Sequence, residues 1–203
     1  MKRIALVVVL VFLFASFAHA GGCLMIGGSA AVSAPACDPE NNEIGDRVDT
    51  YSDTNNILDG YIKCELYVAD CTGTANAAWL YRVELSDYDR CKIGLCDSAD
   101  GATEHSPATH DANCMWAGTD DLLGDGSKWY NLGDIGKSVT KGNYYWRCVM
   151  GGDGDCRTKY KASAGTKKTY SASGFTFSNP PSNLNGTWTE TAERNRSAYV
   201  EID

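Results

Sequence analysis

The stretch IKCELYV at residues 62–68 alternates apolar and polar side chains along its length. One side of the extended chain would hold Ile62, Cys64, Leu66 and Val68. The other side would hold Lys63, Glu65 and Tyr67. Successive side chains of a β-strand point to opposite faces, so this period of two predicts a strand with one buried face.

The same alternation recurs later in the chain. In a second predicted strand the face of Trp79, Tyr81, Val83 and Leu85 lies opposite Leu80, Arg82 and Glu84. Further strands are predicted at residues 129–132, at 144–150 and within 160–177, before Pro180 and Pro181 end the strand pairing. Outside residues 1–20, apolar residues nowhere recur at helical spacing for three turns. Short strands separated by turns predict an all-β sandwich over residues 46–180.

One region breaks this pattern. Residues 97–128 are rich in Asp, Gly, Ser and Thr, with few apolar anchors. We predict a long loop insertion that a disulfide staples near Cys96 and Cys114. Loops of this length are uncommon in compact domains and often have a function.

The two ends of the chain differ from the predicted domain. Residues 1–20 combine Lys2 and Arg3, an apolar run and the pattern Ala18-His19-Ala20, which predicts a cleaved secretory signal peptide; an uncleaved membrane anchor is the alternative. Residues 21–45 have the composition of a linker. The tail, residues 181–203, could form a β-hairpin in which 187–191 pairs with 197–202.

Nine cysteines lie beyond the leader, which predicts an oxidising, extracytoplasmic location. We expect four disulfides among the following eight: Cys37, Cys64, Cys71, Cys91, Cys96, Cys114, Cys148 and Cys156. The ninth, Cys23, follows small residues as in a bacterial lipobox, although Ala20 stands where an aliphatic residue is usual. Either Cys23 is lipidated, or cleavage follows Ala20 and leaves a thiol near the new terminus.

The charge of the chain restricts its partners. The formal net charge is −8, and loss of Lys2 and Arg3 with the leader makes it −10. Binding to phosphate backbones requires clustered Lys and Arg, and the densest basic stretch, residues 157–168, is diluted with small polar residues. We therefore expect no nucleic-acid partner, and contact with a membrane only through a lipid anchor.

Two stretches resemble a known family. Residues 129–132 followed by 139–147 are similar to the turn and Tyr-x-Trp-Arg strand of bacterial fibronectin type III and related immunoglobulin-like domains. Residues 81–85 and 175–177 resemble two further strands of that family. The resemblance implies an immunoglobulin-like β-sandwich, a fold that serves as spacer, adhesin or accessory domain.

In such a sandwich, Cys64 and Cys148 would lie on strands that face each other across the core, where a disulfide could join them. Local pairing is the alternative, with Cys148 bonded to Cys156 and Cys64 to Cys71. The spacing of the cysteines alone does not choose between these connectivities.

No catalytic or metal-binding pattern stands out. His105 and His110, with Asp111 beside them, could bind a metal, but the two histidines have no further ligand at a recognised spacing. Neither the G-x-S-x-G nor the H-E-x-x-H motif of hydrolases occurs. Three groups of acidic residues could attract calcium, but none matches the known calcium-loop motif and turn formation explains them without a metal: Asp46, Asp49, Asp53 and Asp59; Asp120, Asp121 and Asp125; Asp153 and Asp155. We predict no enzyme activity, no cofactor and no bound metal.

Aromatic residues are the candidate ligand-binding groups. Trp116, Trp129 and Tyr130 lie in or beside the predicted loop, among polar side chains that suit sugar binding, although aromatics also anchor ordinary loops. We predict a secreted or cell-surface module that recognises an extracellular protein or glycan. The alternative is an enzyme acting on extracellular polysaccharide, or its carbohydrate-binding accessory domain.

Overall fold

The computed structural model describes residue 37 and residues 42–83, 90–98, 106–107, 112–119, 126–153, 156–162, 169–191 and 194–203. The predicted signal peptide, Cys23 and residues 24–36 of the linker lie outside the described residues. The strands of the described part are β1 (Glu43–Asp46), β2 (Asp53–Ile57), β3 (Ile62–Val68), β4 (Gly73–Arg82), β5 (Cys91–Asp97), β6 (Ala112–Thr119), β7 (Lys128–Asn131), β8 (Lys137–Val139), β9 (Tyr144–Gly151), β10 (Cys156–Ala162), β11 (Thr169–Ala172), β12 (Thr189–Thr191), β13 (Arg194–Arg196) and β14 (Ala198–Ile202).

These strands form two antiparallel sheets, which confirms the predicted all-β sandwich. Sheet 1 has the order β1-β14-β4-β10-β13, with β2 paired to β10 and with β7 and β8 paired to β4. Sheet 2 has the order β12-β11-β3-β9-β5-β6. Within the described ranges, no helix is long and apolar enough to cross a membrane.

The main core lies between the sheets. Sheet 1 contributes buried residues such as Leu80 and Val200, and sheet 2 contributes Tyr67, Ile93 and Val149. On β4, Leu80 and Arg82 are therefore the inward residues, and Trp79 and Tyr81 lie on the outer side of sheet 1. An alternating pattern predicts two faces but not which of them is covered, and here the bulkier aromatic face is the outer one.

Strand β3 is buried on both faces, so the prediction of one buried face is wrong. Ile62 and Cys64 belong to a second core on the outer side of sheet 2, together with Trp146, Phe177 and Leu184. Residues 173–188 supply the cover, because Trp116 Nε1 donates to the Pro181 carbonyl (2.8 Å) and the Cys114 amide to that of Ser182 (2.9 Å). On the opposite face of β3, Glu65 and Tyr67 are buried between the sheets.

Part of the predicted loop is a strand. Within residues 97–128, β6 pairs along β5 and forms the edge of sheet 2. Gly94 of β5 lies opposite Trp116, and a Cβ at this glycine would stand 2.6 Å from the indole ring. The strand was missed because its small and polar residues have weak β propensity, and pairing with β5 compensates for this.

The tail is part of the sandwich and does not form the predicted hairpin. Strand β12 pairs with β11 in sheet 2, whereas β14 pairs with β4 and β1 in sheet 1. The inward residues Ala198, Val200 and Ile202 are almost fully buried, so β14 gains more from packing in the core than it could gain from one partner strand. Strand β1 begins at Glu43, inside the range predicted to be linker.

The four predicted disulfides form, and they join Cys37 to Cys71, Cys64 to Cys148, Cys91 to Cys156 and Cys96 to Cys114. The Cys64–Cys148 bridge joins directly paired residues of neighbouring strands in sheet 2, so the expectation that it crosses the core is wrong. Strands β3 and β9 are hydrogen-bonded neighbours, which places both sulfurs on the outer side of one sheet. Cys91–Cys156 is the bridge that joins sheet 2 to sheet 1.

An interior ion network lies between the sheets; it comprises Glu65, Tyr67, Arg147, Arg196 and Asp46. Glu65 is 0% exposed and each arginine 1%, and both guanidinium groups donate to the Glu65 carboxylate. The Tyr67 hydroxyl lies 2.7 Å from Asp46 Oδ2 and 2.9 Å from Glu65 Oε2. Arg147 comes from sheet 2 and donates to the Ala198 carbonyl of sheet 1 (2.7 Å), so the network connects the two sheets.

Candidate functional site

Four aromatic rings lie together on the outer side of sheet 1; we call Trp79, Tyr81, Trp129 and Tyr199 the aromatic face. Strand pairing brings them together, because Trp79 is opposite Tyr199 and Tyr81 is opposite Trp129. The Trp129 ring is edge-on to both Tyr199 (centroids 5.1 Å apart) and Tyr81 (5.4 Å). Trp79 and Tyr199 stack with centroids 6.2 Å apart. Such ring pairs are favourable beyond the area they bury, so the cluster is fixed in place.

The rings are accessible to different degrees. Tyr199 is only 2% exposed and forms the floor of the cluster, while Trp79, Tyr81 and Trp129 are partly exposed. The outer side of this sheet therefore presents three partly exposed aromatic rings. Such a surface suits contact with a ligand that has both apolar and hydrogen-bonding groups.

Two cations flank the aromatic face. The Arg47 guanidinium carbon lies 5.2 Å from the centre of the Tyr199 ring, and Lys159 Nζ lies 4.8 Å from that of Tyr81. Arg47 forms an ion pair with Glu43 (2.9 Å), and this hydrogen bond raises the pKa of the arginine. Both cations are attracted by the negative faces of the rings.

Two of the buried phenols, those of Tyr199 and Tyr67, are held in the neutral form. Burial raises the pKa of Tyr199 to about 12, although the nearby Arg47 charge acts in the opposite direction. Burial also raises the pKa of Tyr67 well above 10, while the charge of Arg147 opposes the shift. In Arg147 burial alone would lower the pKa, but the interactions with Glu65, Tyr67 and Asp46 together outweigh burial, and the pKa is raised.

Alkaline pH is therefore expected to destabilise the fold. In the unfolded chain a tyrosine loses its proton near pH 10, whereas Tyr199 keeps it to about 12, so above pH 10 the unfolded state binds fewer protons. This contribution to stability is fully present below pH 10 and is lost as the pH rises from 10 towards 12. The free energy of unfolding should fall by up to about 1.4 kcal/mol per pH unit for each such phenol.

Urea denaturation at pH 8, 9, 10 and 11 measures this slope. Tyr199→Phe removes one of the two phenols and should show a shallower decline above pH 10 than the wild type. Equal slopes for the two proteins would contradict the prediction.

The three aromatic residues predicted to bind ligand do not come together. Trp129 belongs to the aromatic face, whereas its neighbour Tyr130 packs against the main core and has Arg82 and Lys128 near its ring (5.7 and 5.1 Å from the centroid). Trp116 lies in sheet 2, against residues 173–188. Consecutive residues of a strand face opposite ways, so Trp129 and Tyr130 cannot form one surface.

Sequence reasoning missed Trp79, Tyr81 and Tyr199 as site residues. The alternation of Trp79 and Tyr81 indicates a shared strand face, but it does not indicate that this face lies on the surface of the sandwich. Tyr199 lies more than a hundred residues away, and its position opposite Trp79 depends on the pairing of β14 with β4.

The histidine and acidic residues considered as metal ligands do not form a metal site within the described ranges. Across the described ranges, no three His, Cys, Asp or Glu side chains could jointly hold a metal ion. His105, His110, Asp111, Asp120, Asp121, Asp125 and Asp155 lie outside the described residues. A cleft of about 350 Å³ is lined by Asp59, Arg90, Asp153 and residues 175–178, and in it Arg90 is paired with Asp153 at 3.4 Å.

Comparison with known proteins leaves the chain without an assigned family. No protein-family model matches it, and no curated protein sequence does either. The resemblance to fibronectin type III and immunoglobulin-like domains therefore stays a prediction.

Proposed function

We propose that this chain is an exported, non-catalytic binding module, displayed on the cell surface or secreted, which recognises an extracellular protein or glycan. Four disulfides are typical of an oxidising, extracellular environment. The leader pattern of residues 1–20 agrees with export. The aromatic face is the main support for binding.

The position of the aromatic face favours recognition over a purely structural role. The core between the sheets is filled by other side chains, so three large rings on the outer side of sheet 1 are not needed to close it. Tryptophan and tyrosine are enriched where proteins bind partners, because each ring offers a large contact area at a low cost in side-chain entropy. The rigid sheet beneath holds the rings before a ligand arrives, which reduces the entropic cost of binding.

Attachment to a membrane would use Cys23. All eight cysteines from Cys37 onwards are paired in disulfides, so none of these eight is available to bond the ninth, Cys23. This parity favours lipidation over a free thiol in an oxidising environment. The Cys37–Cys71 bridge would then fix the linker to the domain, fourteen residues after the lipidated cysteine.

Removing two rings of the aromatic face is expected to weaken binding strongly while the fold persists. In Tyr81→Ala/Trp129→Ala, affinity should fall at least about tenfold, because rings at the centre of a contact surface dominate its energy. The measurement is biolayer interferometry against an immobilised panel of polysaccharides and extracellular proteins. Near-ultraviolet circular dichroism reports whether the sandwich is intact.

The control is Tyr61→Ala, which removes a ring that is 38% exposed just before β3. This variant should bind as the wild type does. Trp129→Leu, which keeps an apolar side chain, provides a second test if the double variant is unstable. The proposal fails if the wild type binds no member of the panel, or if the folded Tyr81 and Trp129 variants bind with unchanged affinity.

A further inference from the structure

Strand β10 adds a row of cations to the aromatic face. Arg157, Lys159 and Lys161 alternate with Cys156 and Thr158, which are fully buried between the sheets. The three cations therefore point to the outer side of sheet 1, as the position of Lys159 Nζ over the Tyr81 ring confirms. We call these three residues the cation row. From Arg157 to Lys161 the strand advances by four residues, so the row extends over about 13 Å.

Among the described residues, no carboxylate forms a salt bridge with the cation row. Arg157 Nη2 donates to the Thr54 hydroxyl (2.9 Å), and Lys159 Nζ donates to the backbone carbonyl of Asp49 (2.9 Å). Buried Arg157 Nε has no acceptor in the described part of the chain. Across the same residues, none of the three cations forms a salt bridge.

The positive charge of the cation row contrasts with the net charge of the chain. The protein has a formal net charge of −8, so an anionic ligand would be repelled from most of its surface. At the aromatic face, in contrast, Lys159 places its charge directly over a ring, with Arg157 and Lys161 on either side of it along β10. Apolar and positively charged groups therefore occur together on one side of one sheet.

We propose that the aromatic face and the cation row form one binding surface for an acidic polysaccharide, a chain of sugars that carries carboxylate groups. This inference rests on the proposed binding function and names its ligand class. The rings of Tyr81 and Trp129 would pack against the apolar C–H faces of the sugars. The cation row would pair with carboxylates along the polymer, and its length suits several consecutive sugars more than a single one.

The test compares polygalacturonate with its methyl-esterified form, which has the same backbone but no charge on the esterified sugars. Affinity electrophoresis in gels containing either polymer, or alginate as a second acidic chain, reports retardation of the intact domain. We expect the acidic polymers to bind at least about tenfold more tightly than the ester. Raising the salt concentration from 50 to 500 mM should weaken that binding, because salt screens exposed charges.

Variants of the cation row locate the effect. Arg157→Gln/Lys159→Gln/Lys161→Gln should lose about tenfold or more in affinity for polygalacturonate. The matched single variants are Lys161→Gln and Lys141→Gln, which each remove one exposed lysine, the second from the turn before β9. Lys161→Gln should weaken binding, and Lys141→Gln should leave it unchanged.

Equal binding of acid and ester, or wild-type affinity in the folded triple variant, would overturn the acidic ligand. So would the absence of binding to both acidic polymers. In each case, retained binding of a neutral glycan or protein that depends on Tyr81 and Trp129 would leave the proposed function standing. Loss of every interaction with the broader panel would refute both.

Discussion

Glu65→Gln is expected to lower the free energy of unfolding by about 3–5 kcal/mol. Glu65 accepts hydrogen bonds from Arg147 and Arg196, and all three side chains are at most 1% exposed. Removing the carboxylate charge leaves two buried guanidinium groups without the negative charge of Glu65 to offset them. Burying positive charges without such an offset is costly, because they lose their hydration. Urea denaturation at pH 7 with linear extrapolation gives the change in free energy.

The control for Glu65 is Asp134→Asn, which removes the same charge from an exposed position between β7 and β8. Its effect should lie within about 0.5 kcal/mol, since surface substitutions away from special features rarely exceed this. A Glu65→Gln protein that cannot fold would be the extreme form of the expected result. A loss below about 1 kcal/mol would mean that the interior ion network contributes little to the stability of the sandwich.

The second large effect is expected from removal of the Cys64–Cys148 bridge. These cysteines are 84 residues apart in sequence, so the bridge closes a long loop of the unfolded chain. In Cys64→Ala/Cys148→Ala, loop-closure entropy then predicts that the free energy of unfolding falls by about 4 kcal/mol. This value allows for the Cys91–Cys156 bridge, which shortens the path along the unfolded chain between Cys64 and Cys148. Guanidinium denaturation under non-reducing conditions measures the loss, and peptide mapping of the wild type should yield a linked Cys64–Cys148 peptide.

The matched control for this bridge is Cys96→Ala/Cys114→Ala. That pair also joins neighbouring strands of sheet 2 but spans only 18 residues, and its removal should cost about 3 kcal/mol. A larger loss from the short bridge than from the long one would argue against the entropic explanation. A Cys148–Cys156 peptide in the map would contradict the connectivity itself.

The sequence alone determined the type of structure and the chemistry available to it. Period-two patterns predicted β3, β7 and β9 because side-chain alternation is a local property of an extended chain. The number of cysteines predicted four bridges, and the net charge argued against nucleic acid, since both are properties of composition. Trp129 was recognised as a candidate binding residue from its immediate neighbours.

Tertiary structure decided which partner each strand and side chain has. Both faces of β3 are buried because residues 173–188 return over sheet 2, and Tyr199 meets Trp79 because β14 enters sheet 1. The alternating pattern of β3 predicts that the acidic side chain of Glu65 is exposed. It is buried because two arginines, distant in sequence, donate hydrogen bonds to its carboxylate. These outcomes depend on contacts between residues far apart in the chain, and local propensity and periodicity contain no information about which distant segment supplies the contact.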